Sequence, residues 1–91
     1  MAETSNITIN EINETAGEAM TLVPGEQTAA LVTVVCGWAE LASMNPNNGS
    51  YIPKLFESVF RLSEFMMERG RHHIARRLLL LGDDLKKNWK R

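Results

Sequence analysis

The sequence predicts an all-α protein: a small helical bundle of three main helices, at about 24–44, 52–69 and 73–89, preceded by a weak N-terminal helix or disordered arm. Three observations carry this expectation. Within residues 74–89, Ile74, Leu78, Leu81, Leu85 and Trp89 recur at the helical period and form one apolar stripe. Residues 52–67 repeat the pattern over a broader face made of Ile52, Leu55, Phe56, Val59, Phe60, Leu62, Met66 and Met67. Strong breakers separate the periodic segments: Pro24-Gly25, Asn45-Pro46-Asn47-Asn48-Gly49, and Gly70.

A chain of 91 residues makes one domain with limited capacity to bury its own surface. It divides into an acidic arm over 1–23 and a bundle over 24–91. Apolar residues at 44% and charged residues at 23% fit a globular chain rather than a disordered one. The single cysteine, Cys36, has no intramolecular partner and lies in an apolar stretch, as a small core residue in a reducing compartment would. No basic segment followed by an apolar one marks a leader, and no uncharged run exceeds thirteen residues, too short to span a bilayer. The expected setting is cytoplasmic, with no membrane contact.

The net charge of −1 conceals a sharp asymmetry. Residues 1–53 contain six acidic side chains and no lysine or arginine, whereas 54–91 contain all ten basic residues and five acidic ones. Either the two halves attract each other or the basic end meets an acidic partner. Attraction within the chain, together with solvated faces, is the simpler expectation.

In chain order, residues 1–8 are expected to be disordered and 9–20 to form a weak helix. Ile9, Ile12, Ala16 and Met20 supply its stripe, and Thr8–Glu11 and Thr15–Glu18 both fit the capping box. Gly17 and the asparagines oppose it, because glycine raises the entropic cost of a helix and asparagine side chains compete for backbone hydrogen bonds.

The next helix is expected to start with Pro24 in its first position, where the missing amide is harmless, and Glu26 in its first turn, facing the positive end of the dipole. Leu31, Val34, Val35, Trp38, Leu41 and Ala42 form the expected inward face. Its back, with Ala29, Ala30, Thr33, Cys36 and Gly37, is small and uncharged, so this helix is expected to be central and buried on more than one side.

Ser50 is placed to cap the third segment, with Pro53 tolerated in its first turn. Glu57, Arg61, Glu64 and Glu68 line the opposite, solvated face, and Phe65 points out among them. Gly70 then decides the architecture. An unbroken helix over 52–89, about 57 Å long, would have no intramolecular cover and would force dimerisation. Glycine at C′ instead ends one helix and lets the next fold back, and a break over 70–72 is the expectation.

Sites follow from these placements. Glu68, His72 and His73 lack the further convergent ligands that zinc or a di-iron site requires, so neither metal nor cofactor is expected. No nucleophile has an identifiable base and no glycine-rich loop cradles a phosphate, which argues against an enzyme. Arg76, Arg77, Lys87 and Lys90 are candidate phosphate contacts, although Asp83 and Asp84 stand among them and the isoelectric point is near 6.1. Leu78-Leu79-Leu80-Leu81 wraps leucine round a full turn, leaving Leu80 opposite the core stripe. Phe65, Leu79 and Leu80, with Thr33 and Gly37 on the small-residue side of the second helix, are the candidate protein interface. Met44, Met66 and Met67 offer a hydrophobic ligand site less convincingly, since methionines at core spacing usually fill cores. The function expected first is a self-associating helical interaction module or small regulator, with a homodimer or another protein as partner. The alternative is a nucleic-acid-associated regulator using the basic C-terminal face.

Overall fold

The computed structural model describes residues 2–45 and 47–88, with side chains described over 7–45 and 47–87. Four helices follow one another: α1 (Ala2–Leu22), α2 (Glu26–Met44), α3 (Tyr51–Glu68) and α4 (His72–Asn88), with no strand among the described residues. Consecutive helices are neighbours, α4 returns against α1, and α2 and α4 occupy opposite corners without approaching. This is the up-down-up-down square that short connections favour. Its extents are 35 × 20 × 17 Å, the long one set by helices of 17 to 21 residues.

The α3–α4 hairpin forms the largest wall of the core. Leu55, Val59, Leu62 and Met66 face Ile74, Leu78, Leu81 and Leu85, all buried. Gly70 closes the hairpin at φ 79°, a left-handed value that side chains disfavour. The Arg71 amide donates to the Met66 carbonyl at 2.9 Å and the Gly70 amide to the Met67 carbonyl at 3.0 Å, the two bonds of a Schellman cap. The chain therefore breaks where the sequence places the break. Farther along, a Cβ on Gly82 would lie 3.3 Å from the Phe56 ring and 3.5 Å from Val59, so glycine lets α4 lie close against α3.

The N-terminal segment departs from expectation. In place of a disordered stretch over 1–8 and a weak helix over 9–20, α1 runs Ala2–Leu22 as a fourth full member of the bundle. Its Ile9, Ile12, Ala16 and Ala19 are buried in the common core, against α2 on one side and α4 on the other. Tertiary burial overrides the mediocre propensity of its threonines and asparagines. Thr15 is accommodated inside because its hydroxyl donates to the Glu11 carbonyl one turn back, at 2.7 Å.

Helix α2 also differs from expectation, in its start and in its rotation. Pro24 precedes the helix, because the tight α1–α2 turn uses Gly25, at φ 146°, as N-cap. The residues α2 buries are Thr28, Val35, Ala39 and Ala42, while Leu31 and Trp38 are half-buried and Val34 and Leu41 are exposed. The helix is a corner of the square rather than its centre. It meets α1 and α3 mostly with small side chains, Leu31 and Trp38 pack at its flank, and Val34, Leu41 and Met44 are turned outward.

On α3 the two phenylalanines exchange their expected places. Phe65 is half-buried against the core, with the Arg69 guanidinium 4.7 Å from its ring centre, whereas Phe60 is exposed. An apolar arc this wide leaves its borders undefined, and here α2 covers one border while the other stays open. Ser50 is the N-cap residue of α3 but does not bond its amides; its hydroxyl donates to Asn48 Oδ1 at 2.7 Å. Trp89, the last member of the C-terminal stripe, lies outside the described residues.

If α1 is a core element, Ile12→Ala should lower the unfolding free energy by about 2–5 kcal/mol, the usual range for emptying a buried aliphatic site. Ile7→Ala, on the exposed side of the same helix, should change it by under about 0.5 kcal/mol in the same denaturation series.

Candidate protein-interaction face

The outward rotation of α2 collects a continuous uncharged surface. Ala30, Val34, Gly37, Leu41 and Met44 are spaced four, three, four and three residues apart, and all five are exposed. That is the spacing of a helix–helix seam, which keeps side chains in line along a partner helix. Val34 is 48% exposed, Leu41 39% and Met44 68%, values that are high for large apolar side chains so close together. Thr33 borders the seam on its α1 side. Glu26 and Glu40 are the only charged residues on the helix.

Toward α3 the seam widens into an open groove of about 380 Å³, lined by Leu31, Val34 and Trp38 on one wall and Lys54, Glu57, Ser58 and Arg61 on the other. The Trp38 and Tyr51 rings, with centres 6.0 Å apart and planes inclined at 37°, fix the end of the groove nearest the α2–α3 connection. Glu57 reaches Arg61 at 3.7 Å, an exposed pair, while Lys54 makes no ion pair among the described residues. Gly37 stands in the middle of the seam, and a Cβ built there meets nothing within 4 Å. Nothing in this chain's packing requires a glycine at that position.

Of the residues expected at an interface, Thr33 and Gly37 lie on this face. Leu80 is 62% exposed and Leu79 half-buried, but both are on α4, at the opposite corner. Phe65 is occupied within the bundle. The five residues therefore do not form one surface. Val34 and Leu41, which complete the α2 face, are expected inward and Met44 in a ligand site with Met66 and Met67, although their spacing with Ala30 and Gly37 and the absence of charge among them are legible in the sequence.

The basic C-terminal face is partly neutralised by its own chain. Arg77 pairs with Glu18 of α1 at 3.2 Å and Lys87 with Asp83 at 3.6 Å. Arg69 donates to Gln27 at 2.9 Å and Arg71 to the Leu22 carbonyl at 3.4 Å, so basic residues of the second half tie down the first. Arg76 is exposed without an ion pair among the described residues, and Lys90 lies outside them. A second, smaller hollow of about 240 Å³ lies beside Arg71, His72, His73 and Arg77 at the start of α4. His72 Nδ1 is 2.7 Å from Met67 Sδ, and no group of three metal-ligating side chains occurs among the described residues. Cys36 is half-buried on the α1 side of α2, and burial pushes its thiol pKa up, away from the reactive thiolate. No described helix is long and apolar enough to cross a membrane. No protein family, curated protein or solved structure matches the chain.

Exposed ion pairs contribute little, so Arg76→Gln with Arg77→Gln should shift stability by under about 1 kcal/mol. Any binding of the unmodified chain to a generic duplex should be absent near physiological salt. Micromolar, salt-sensitive binding abolished by that double substitution would instead assign α4 to phosphate recognition.

Proposed function

We propose that the chain is a non-enzymatic helical module that binds protein through the outer face of α2 and self-associates there, acting as an adaptor or small regulator. The observation that carries this reading is the orientation of α2. It buries Thr28, Val35, Ala39 and Ala42 and sets Val34, Leu41 and Met44 in an uncharged line at the surface, with Ala30 and Gly37 between them. A helix that only completed a bundle would do better to bury the larger side chains, since burial is worth roughly 25 cal/mol per Å² of apolar area. Cytoplasmic residence fits the single, half-buried cysteine. Binding of nucleic acid through α4 has less support, because Glu18 and Asp83 already take up Arg77 and Lys87.

Light scattering over a concentration series tests the reading. The unmodified chain should pass from monomer toward dimer across the micromolar range, and Leu41→Asp should hold it as a folded monomer. Leu80→Asp should leave the dimer unchanged. A chain that stays monomeric at every concentration, or that Leu80→Asp alone dissociates, would contradict self-association through α2.

A further inference from the structure

Independently of the outer α2 face, we infer that α1 is a releasable cover. It leaves the bundle as a unit, about a hinge at residues 23–25, and uncovers the core side of α2 and α4. Its composition makes release the least costly opening of the fold. Among its buried residues only Ile9 and Ile12 are large and apolar; the others are Thr8, Thr15, Ala16 and Ala19. Helix α4 buries Ile74, Leu78, Leu81 and Leu85. Apolar burial sets most of the cost of exposing an element, so α1 is held less firmly than α4. The side-chain oxygen of Asn13 is buried without a hydrogen-bond partner among the described residues, a penalty that opening to water removes. Gly17 is exposed in mid-helix, and a Cβ built there meets nothing within 4 Å. It weakens the helix without allowing any close approach in return.

The attachments of α1 fit the same role. It joins the other helices through Val23-Pro24-Gly25 alone. Helix α2 also buries few large residues, but it is closed by a connection at each end and by the Trp38–Tyr51 contact. Gly25, at φ 146°, gives the hinge a residue free to take up a backbone change. The polar ties from α4 and its leading turn are exposed: Arg77 donates to Glu18 at 3.2 Å and Arg71 to the Leu22 carbonyl at 3.4 Å. Exposed ties of this kind restrain an element weakly. Once detached, α1 unwinds, because glycine, threonine and asparagine leave it too little propensity to stand alone. The open state keeps α2, α3 and α4 folded and exposes core residues of α2 and α4 to a partner. That surface lies on the opposite side of α2 from Val34 and Leu41, and the closed molecule does not present it.

Native-state hydrogen exchange of the full chain in low denaturant tests the release. Amides at residues 9–19 should share one opening free energy and one denaturant dependence. Corrected for intrinsic rates, they should exchange at least about tenfold faster than the slowest amides of α3 and α4. A graded rise in protection from residue 7 to residue 22 would show fraying, and equality with α3 and α4 would show one cooperative unit; either result overturns the inference. Val59→Ala separates the two openings, because Val59 packs beside Gly82 in the hairpin that stays folded when α1 leaves. It should speed exchange of the slowest α3 and α4 amides by about tenfold and leave residues 9–19 within about twofold. Equal acceleration throughout would overturn the inference. Gly17→Ala fills open space, and α1 is lost in both openings, so it should slow residues 9–19 and the core alike by up to about fivefold. Slowing of the core without slowing of residues 9–19 would also overturn it.

Discussion

The α3–α4 hairpin presents more apolar surface than two helices can hide, and the rest of the chain is arranged to cover it. Its two stripes, running from Leu55 to Met66 and from Ile74 to Leu85, meet across a narrow gap made possible by Gly82 and held in register by the Gly70 turn. The outer edges of both stripes remain for other helices. Helix α1 takes the α4 edge and α2 the α3 edge. Helix α1 is thus required by the hairpin, whatever its own propensity, because without it Ile74, Leu78 and Leu85 would face water.

Covering the α3 edge fixes how α2 is rotated. Against α3 and α1, α2 buries Thr28, Val35, Ala39 and Ala42. Everything larger on the helix is displaced to the flanks or the surface. The Trp38 ring leans on Tyr51 at the margin, and Val34, Leu41 and Met44 are left uncovered. The fold and the uncharged outer face of α2 are therefore two consequences of one rotation. A surface built this way sits on an element whose orientation is fixed by packing on two neighbours, the condition for preorganisation.

How much of this the sequence disclosed depends on how narrow each apolar pattern is. The stripe of α4 is narrow and flanked by charge, so its inward residues and the exposed Leu80 were legible, as was the break at Gly70 with its demand for a left-handed residue. The arc of α3 is wide, and periodicity assigned its centre correctly while exchanging Phe60 and Phe65 at its borders. Helix α2 is apolar nearly all round, so the hydrophobic pattern holds almost no information on its phase. Val35 and Ala42 are inward as expected, but size also placed Val34 and Leu41 inside, where the structure instead buries Thr28 and Ala39. In α1 the inward threonines masked the stripe, because Thr8 and Thr15 present themselves to a propensity count as polar while occupying core positions. The candidate site follows the same limit: Thr33 and Gly37 are exposed on the outer side of α2, while Val34 and Leu41 beside them were assigned to the core.

The charge asymmetry has a plain physical outcome. Glu18, Gln27 and the Leu22 carbonyl in the first half receive Arg77, Arg69 and Arg71 from the second, along the end of the bundle where α1 meets α2 and α3 meets α4. These exposed contacts are individually weak, but they keep the basic residues occupied and leave the α2 face without competing charge. The central claim is that α2, not α4, is the working surface. A dilution series of backbone amide spectra addresses it residue by residue. Shifts that move with concentration should concentrate at residues 27–44, leaving 76–87 still. Movement confined to α4 around Leu80, or none anywhere at concentrations where the mass changes, would contradict the account.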